Sequence, residues 1–394
     1  MHIIIYSQHF FPDNFRINDL VKNTNDKVKY TVITSNSPYS AFTDKHKFNS
    51  NYDHEFFEDV KVIRLPVIPR TKKFRILARI LNYISYVISA SIYTIFFKKE
   101  NYDHILCYLT SPPFQVLPAI LLSKIKKIKI SIWYQDLWPH NLKDLNLKLP
   151  SWIFYLIDKF MYFVFSNCHI IFCQSELFKE EVDKLIPNKK TVILYNPITL
   201  NIKKINYNNL INNNKKIFTF TGNIGVNIPY DEIIKSILEL KDLSFEFHFY
   251  GFGTHKNYFQ NIINKNNLKN IILFDYLEDS DLKIKMMNSD FFCIFLNSGY
   301  GLSKTIPAKF QNYLPFKKPI LVYSEGILNK LVSENEIGFE CMQGDYIQLS
   351  NLILKMIKLK NEDLLKFEKN IENFSDKFTI KNVSKTYLNN ICIK

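Results

Sequence analysis

The feature that most constrains this chain is a regular alternation of short apolar runs with longer helix-like segments. Each run has the length and composition of a strand that is buried on both faces of a sheet. In the first half these runs are residues 2–7 (HIIIYS), 29–35 (KYTVITS), 60–66 (VKVIRLP), 102–108 (YDHILCY), 127–133 (KIKISIW), 168–174 (CHIIFCQ) and 190–195 (KTVILY). Strands that alternate with helices in this way predict an α/β domain with a parallel sheet and helices on both faces.

The alternation restarts after a polar, low-complexity segment at residues 201–216, which is typical of an interdomain linker. The strand-like runs of the second half are residues 217–221, 244–250, 270–274, 291–296, 319–323 and 337–341, and residues 346–394 have a mostly helical pattern. A chain of 394 residues has the length of about two domains. We therefore expect two α/β domains that face each other across a cleft, one suited to a nucleotide and the other to a second substrate.

Composition narrows the class of partner. The formal net charge is +14, which favours an anionic partner, but the nucleic-acid motifs that we sought are missing. All the arginines precede residue 80, so any cationic side chain that binds an anion in the second half must be a lysine. The six cysteines lack metal-type spacing, and the chain enters its first strand without a signal peptide, so we expect a reduced, cytoplasmic protein.

An apolar segment at residues 71–99 has three possible structures. Residues 80–97 carry no charge and reach the lower length limit for crossing a bilayer, and basic residues flank both ends. The segment could be a buried helix of the first domain, an interfacial helix that docks on anionic lipid, or a transmembrane helix. A strand-like run follows directly, which argues against the last alternative.

In the second half, the segment at residues 303–319 (SKTIPAKFQNYLPFKKP) lies between two strand-like runs. We expect a short helix here, opened by Thr305 as a polar cap and by Pro307 in the first turn. Lys309 would then lie at the carboxyl-end edge of the sheet, beside free helical N–H groups, where it could bind a phosphate or diphosphate. The alternative is that Lys309 is an ordinary solvated lysine.

Two glycine turns follow strand-like runs and precede helices at the same edge. The first contains Gly222, Asn223 and Gly225, and the second contains Gly251 and Gly253. Such turns let backbone N–H groups approach a diphosphate, although neither turn matches a dinucleotide or P-loop motif. The alternative is that both are ordinary tight turns.

In the first half, the loop after the first run contains His9, Asp13, Asn14 and Arg16. It is expected at the ligand-binding edge of the first sheet, unless Asp13 or Asn14 only caps the following helix.

Asp136 follows another run directly and is the best candidate for a catalytic or sugar-contacting carboxylate. A structural role for Asp136 is the alternative, and His140 is a weaker candidate nearby. No metal-ligand pattern is present, so no metal site is expected.

Several motifs in their chain order resemble glycosyltransferase family 4 of bacteria, nearest to the O-antigen and colanic-acid type transferases that include N-acetyl-fucosamine transferases. The motifs are IIIYSQHFFPDNFRIND at the N-terminus, SPPF at 111–114, QDLWP at 135–139, YNPI at 195–198, TGNIG at 221–225 and TIPAKFQNYLPFKKPIL at 305–321. The resemblance covers nearly the whole chain.

This resemblance implies the GT-B fold, in which two Rossmann-like domains face each other across a cleft. Residues 1–198 would bind the acceptor, residues 199–375 the sugar nucleotide, and residues 376–394 would form a helix that crosses back to the first domain. Members of the family are retaining enzymes that need no metal or other cofactor.

The resemblance also assigns roles to individual residues. Gly222, Asn223, Gly225 and Lys309 would hold the donor diphosphate, and Gly251, Gly253, Lys304 and Asn312 would be the other donor-binding residues. Asp136 would lie near the donor sugar, and the loop at residues 9–16 would close over the reacting centre.

The chain departs from the family at two places. Lys304 and Asn312 stand where many members have a pair of glutamates, so Asn312 could contact a ribose hydroxyl but offers no carboxylate. Asn223, Val226 and Asn227 stand near the place where many members have an arginine and a lysine. Lys309, assisted by Lys304, would then have to neutralise more of the diphosphate charge.

The sequence therefore predicts a retaining glycosyltransferase. Its donor would be a nucleotide sugar, UDP-linked and with an N-acetylated hexosamine as a candidate sugar. Its acceptor would be an undecaprenyl-diphosphate-linked saccharide of surface polysaccharide synthesis, reached at the anionic inner face of the cytoplasmic membrane. The alternatives are a sugar-nucleotide 2-epimerase of the same fold and a non-catalytic assembly subunit.

Overall fold

The computed structural model describes residues 1–37, 39, 60–70, 75–96, 100–144, 149–200 and 215–392. The described chain divides into two compact units, Met1–Pro197 with Ile380–Lys394, and Ile198–Thr379. Most of residues 36–58 and of the predicted linker at residues 201–216 lies outside the described residues.

The first unit is built on a parallel sheet with the strand order β3-β2-β1-β4-β5-β6-β7. Its strands are β1 His2–Tyr6, β2 Lys29–Ser35, β3 Val60–Leu65, β4 His104–Leu109, β5 Ile130–Tyr134, β6 Ile170–Cys173 and β7 Lys190–Ile193. Its helices up to the end of this sheet are α1 Arg16–Lys22, α2 Arg75–Phe96, α3 Leu117–Lys126, α4 His140–Asp144, α5 Ser151–Ser166 and α6 Glu176–Leu185.

The central strand β1 shows why the strand pattern was readable from the sequence. Ile4 pairs in register with Thr31 on β2 and Ile105 on β4. Because side chains alternate across a strand, Ile4 enters one core cluster and its neighbour Ile3 enters the cluster on the opposite face. Both clusters are covered by helices, so the central positions of the strand, Ile3, Ile4 and Ile5, are all apolar.

The second unit repeats this plan with the strand order β10-β9-β8-β11-β12-β13, again with parallel pairing throughout. Its strands are β8 Lys216–Thr221, β9 Phe245–Tyr250, β10 Ile271–Phe274, β11 Phe291–Phe295, β12 Ile320–Tyr323 and β13 Gly338–Cys341. Its helices are α7 Tyr230–Leu238, α8 Lys256–Lys265, α9 Asp279–Met287, α10 Ala308–Tyr313, α11 Ile327–Glu334, α12 Tyr346–Ile357 and α13 Asn361–Ser375. Two parallel-sheet Rossmann-like domains confirm the predicted GT-B fold class.

The last helix, α14 Ile380–Ile391, belongs to the first unit. Val383 and Tyr387 are buried there in the core cluster that contains Ile3 of β1. The ring of Tyr387 lies 5.7 Å from that of Phe172 on β6. The sequence divided the chain after residues 198 and 375, whereas the structural units divide after Pro197 and Thr379.

Helix α2 has two unlike sides. Ala78, Tyr86, Ala90 and Thr94, spaced by multiples of four, are buried against the first sheet. The opposite side exposes large apolar residues, namely Ile76, Leu77, Ile80, Leu81, Ile84, Ile88, Ile92, Ile95 and Phe96. Of the described residues, Ile76–Phe96 form the one helix long and apolar enough to cross a bilayer, by length and composition alone. A fully buried helix, one of the three alternatives, is therefore wrong for the outer side of α2.

Tyr387 provides a stability test for the docking of α14. Its ring is fully buried, but its hydroxyl has no hydrogen-bond partner among the described residues. Removing the ring should destabilise the first unit by about 3–5 kcal/mol, whereas removing only the hydroxyl should be neutral or slightly stabilising. We therefore expect Tyr387→Ala to lower the midpoint of urea unfolding strongly and Tyr387→Phe to leave it unchanged or raised. Equal losses in the two variants would contradict this packing.

Candidate functional site

The candidate donor site lies at the carboxyl-end edge of the second sheet, where β8 and β11 are neighbours. The helices after these two strands cover opposite faces. Helix α7 packs in the same core cluster as Phe220, whereas Tyr313 of α10 stacks on Phe292 at 4.4 Å on the other face. This is a topological switch point, the place where open α/β sheets bind ligands.

The two glycine turns pack against each other at this edge. Gly222 and Gly251 have φ values of +117° and +153°, a region that side chains rarely adopt. A Cβ on Gly251 would lie 1.9 Å from the carbonyl oxygen of Gly222, and one on Gly253 would lie 2.1 Å from that of Ile224. The glycines are therefore required by the close approach of two backbones.

This close approach engages some of the backbone N–H groups of the first turn. The N–H of Gly222 donates to Tyr250 O and that of Ile224 to Phe252 O, both at 2.9 Å. Among the described residues, the N–H groups of Asn223 and Gly225 have no backbone partner. Only these two remain as donors for a ligand in residues 222–225.

Lys309 lies directly over the first turn. Its Nζ is 3.6 Å from the ring centroid of Phe220 and 3.7 Å from the position that a Cβ on Gly222 would occupy. Among the described residues, its ammonium has no ion pair and no hydrogen bond. Burial lowers the pKa of Lys309 to about 7. In the part of the chain that the structure describes, no carboxylate therefore offsets the charge of this half-buried cation.

The way Lys309 is held differs from the prediction. Helix α10 begins at Ala308 with Pro307 as its N-cap residue, and the hydroxyl of Thr305 donates to Gly301 O at 2.9 Å instead of capping the helix. The helix has only six residues, so its dipole adds little to the site. Tyr313 fixes the helix instead, because its hydroxyl accepts a hydrogen bond from Thr221 N at 2.9 Å.

The remaining predicted donor-site residues occupy two kinds of position. Asn312 follows Lys309 by three residues on α10, and its buried Oδ1 has no partner among the described residues. Lys304 lies in a short 3₁₀-helix with its Nζ 3.4 Å from the ring centroid of Tyr300. Asn312 thus offers a hydrogen-bond acceptor that no described residue uses, while Lys304 already contacts an aromatic ring.

A cavity that the sequence did not reveal adjoins the glycine turns. It has a volume of about 480 Å³ and includes Val226, Tyr230, His255, Asn297 and Gln343 in its lining. Its polar residues come from the segments that follow four strands, β8, β9, β11 and β13, and no local sequence pattern links them. It offers room for a further part of a donor beside the switch point.

In the first unit, Asp136 follows β5 and links two strand ends. The N–H of Ser111, beyond β4, donates to its Oδ2 at 2.7 Å. Burial raises the pKa of Asp136, and the hydrogen bonds from Ser111 partly oppose that rise. His140 lies apart from this contact, with its Nε2 3.7 Å from a carboxylate oxygen of Glu181. Asp136 is thus held rigidly, as either a structural or a catalytic carboxylate would be.

The loop at residues 9–16 lies at the edge of the same sheet. His9 is buried, and its Nδ1 lies 3.9 Å from Asp13 Oδ2. The capping alternative is wrong, since Phe15 is the N-cap residue of α1 and the Asp13 carboxylate accepts from Tyr39 N at 2.8 Å. Asn14 is exposed.

Arg16, the last residue of that loop, opens α1 and is half-buried. The side chain of Arg70 reaches the loop from beyond β3 and contacts His9 Nε2 at 3.1 Å. Sequence reasoning missed Arg70, because nothing in its local sequence indicates that contact.

In the described part of the chain, no group of three or more histidine, cysteine, aspartate or glutamate side chains is arranged to hold a metal ion.

Comparisons with known proteins agree with this architecture. The family model for glycosyl transferases group 1 matches residues 201–374, which include the glycine turns and Lys309. An uncharacterized glycosyltransferase of Methanocaldococcus jannaschii is 25% identical over 330 residues, which cover 83% of this chain and 84% of the relative.

Solved structures share the fold over the full length. HepE of Anabaena, in complex with UDP and glucose, has a TM-score of 0.70 at 12% identity and covers 100% of this chain and 99% of its own. The lipopolysaccharide outer core galactosyltransferase WaaB has a TM-score of 0.64 at 12% identity and covers 99% and 100%. WaaG, a glycosyltransferase involved in lipopolysaccharide biosynthesis, has a TM-score of 0.63 at 11% identity and covers 99% of both chains.

The second unit thus matches the family model for glycosyl transferases group 1, and the whole chain shares the GT-B fold of these solved structures.

Proposed function

We propose that this protein is a retaining glycosyltransferase that transfers a sugar from a UDP-linked donor to a lipid-linked saccharide. Glycosyltransferase activity with a nucleotide-sugar donor is supported by the family match and by the fold. The observation that carries the proposal is the ammonium of Lys309 over Gly222 at the switch point of the second sheet, which has no acidic partner among the described residues. A diphosphate at this place would supply the negative charge that the described carboxylates do not.

The chemistry follows from that charge. Transfer breaks the bond between the anomeric carbon and the diphosphate oxygen, and it forms a bond from that carbon to an acceptor hydroxyl oxygen on the same face. The hydroxyl proton passes to the departing diphosphate. Lys309 and the N–H groups of Asn223 and Gly225 stabilise the charge that develops on this leaving group, without a metal ion.

The other predicted residues receive roles in the same scheme. Asn312 offers its unpaired Oδ1 to a donor hydroxyl, such as one on the ribose. Asp136, raised in pKa by burial, contacts the transferred sugar. The loop of His9, Asp13, Asn14 and Arg16 contacts the acceptor.

The outer side of α2 supports a lipid-linked acceptor. Its exposed isoleucines form an apolar strip on a chain whose net charge is +14. An apolar strip on a basic protein suits the surface of an anionic bilayer. We place the enzyme at the cytoplasmic face of the membrane, in the synthesis of surface polysaccharide such as O-antigen.

Lys309 should be essential for donor use. Lys309→Ala removes the only cation at Gly222 among the described residues and should lower kcat/KM for the UDP-sugar by about 10²-fold or more. Lys330→Ala, at an exposed position of α11, is the matched control and should behave as wild type. Turnover is measured as UDP release with each candidate donor. Wild-type turnover by Lys309→Ala would refute the phosphate role, and an epimerised nucleotide sugar formed without acceptor would identify the 2-epimerase.

Donor affinity should fall as pH rises. Only the ammonium form of Lys309 pairs with a diphosphate, and its pKa of about 7 means that this form decreases about tenfold per pH unit above pH 8. We expect UDP to bind more weakly at pH 9 than at pH 7 by calorimetry, with proton uptake on binding. In Lys309→Arg, which stays charged, this slope should flatten. A slope of the same size in that variant would assign the pH dependence to another group.

The outer side of α2 should bind anionic vesicles. Ile88 is 54% exposed on this side, and Ile88→Glu places a charge where lipid would lie. We expect it to lower flotation with phosphatidylglycerol vesicles several-fold, and wild-type flotation to weaken with salt. Leu365→Glu, at a 65% exposed position of the second unit, is the control and should float as wild type. Salt-independent flotation, or equal flotation of both variants, would remove the membrane part of the proposal.

A further inference from the structure

Two sequence motifs of the first unit, SPPF at 111–114 and QDLWP at 135–139, are joined by a chain of hydrogen bonds. Ser111 follows β4, and Asp136 and Trp138 follow the neighbouring strand β5. The main-chain N–H of Ser111 donates to Asp136 Oδ2 at 2.7 Å, and the indole Nε1–H of Trp138 donates to Ser111 Oγ at 2.7 Å. Ser111 is therefore hydrogen-bonded to two residues of the other motif.

The indole of Trp138 restricts how the hydroxyl of Ser111 can donate. An indole nitrogen only donates, so Ser111 Oγ accepts from Trp138 and keeps its single proton for another acceptor. The side chain of Ser111, like its main chain, hydrogen-bonds to Asp136. The carboxylate thus receives two donors from one residue, and Trp138 orients the second of them.

Trp138 is itself fixed by the end of β5. Its main-chain N–H donates to the hydroxyl of Tyr134 at 2.7 Å, and that hydroxyl donates to Trp138 O at 3.3 Å. The ring of Tyr134 is fully buried in the core of the first unit. The chain of hydrogen bonds therefore starts at a rigid core residue and ends at the half-buried carboxylate of Asp136.

This chain favours the charged form of Asp136. Burial raises the pKa of Asp136, and among the described residues only the hydrogen bonds from Ser111 oppose that rise. The titratable groups that face Asp136 in the described chain are the phenols of Tyr83 on α2, Tyr108 on β4 and Tyr134 on β5. Burial raises the pKa of each phenol, so all three are neutral near pH 7 and none compensates the carboxylate.

We infer that Ser111 and Trp138 are positioning residues, which hold the Asp136 carboxylate in place as the hydrogen-bond acceptor for a hydroxyl of the transferred sugar. This inference rests on the proposed function, in which Asp136 contacts that sugar. A mere brace between two loops would be served equally by an amide, whose oxygen accepts the same N–H and O–H groups. Donors that converge on a carboxylate without a cation instead stabilise its ionised form, which is the stronger acceptor.

The test compares the pH profiles of turnover in variants of this chain. Ser111→Ala removes the hydroxyl and keeps the main-chain donor, so the pKa of Asp136 should rise and the acid limb of kcat/KM should move to higher pH. We expect the ratio of kcat/KM at pH 5.5 to that at pH 8 to fall about fivefold. Trp138→Phe should shift the limb in the same direction by less. Ser111→Thr keeps the hydroxyl and should restore the wild-type limb.

Ser123→Ala is the matched control for Ser111→Ala. It removes another half-buried hydroxyl of the first unit, which donates to Ile128 O at 2.7 Å. Its pH profile should be that of wild type. If Ser111→Ala instead lowers turnover by the same factor at every pH, or if its acid limb does not move, the positioning role is wrong.

An NMR titration of isotope-labelled aspartate carboxyl groups gives a second readout that needs no turnover. Asp136 is assigned by the loss of its signal in Asp136→Asn. Ser111→Ala should move the titration of Asp136 to higher pH and Ser123→Ala should not; an unmoved titration in Ser111→Ala would overturn the inference. A wild-type protein that turns over no nucleotide sugar would overturn the proposed function instead, whatever the titration shows.

Discussion

The candidate donor site depends on one constraint, a positive charge held at a strand end with no carboxylate partner among the described residues. Lys309 is directed at Gly222 by a helix of only six residues, and Tyr313 fixes that helix to the end of β8. Burial destabilises the charged form of Lys309 while no anion is bound. The lowered pKa of the side chain reflects this cost. A diphosphate would restore the charge balance, so binding and leaving-group stabilisation would draw on the same interaction.

The glycines contribute to the site mainly by letting two turns pack closely, and less by donating hydrogen bonds to a ligand. Gly251 and Gly253 let the second turn pack against the first, which occupies the N–H groups of Gly222 and Ile224. The first turn is thereby rigid, and its exposed surface is free of side chains at the point where Nζ of Lys309 approaches. A rigid turn and a fixed lysine keep their positions before a ligand arrives, which is the condition for electrostatic preorganisation.

The sequence revealed the strands because they are buried on both faces and therefore read as apolar runs. The helix Ser151–Ser166 and the cap at Ser175, whose Oγ accepts from Phe178 N at 3.1 Å, depend likewise on neighbouring residues in the chain. Local patterns set both features.

Features fixed by pairing between distant segments were not readable. The N–H groups of the first glycine turn are taken by a turn almost thirty residues later, and Arg70 contacts a histidine 61 positions earlier in the chain. The predicted N-cap of α10 was wrong for a related reason. Thr305 resembles a cap in sequence, but its hydroxyl is taken by the preceding 3₁₀ segment at Gly301. Individual site residues could therefore be predicted from the sequence, but the contacts between them could be seen only in the folded structure.

We expect the Lys309 ammonium to be poorly solvated until an anion binds beside it. The most direct measurement is an NMR titration of the lysine side chains, with Lys309 assigned by its loss in Lys309→Ala. We expect a pKa of about 7 for Lys309 in the free protein, and a clear rise when UDP is bound. A pKa near the ordinary lysine value of about 10.4 that does not move with UDP would contradict it.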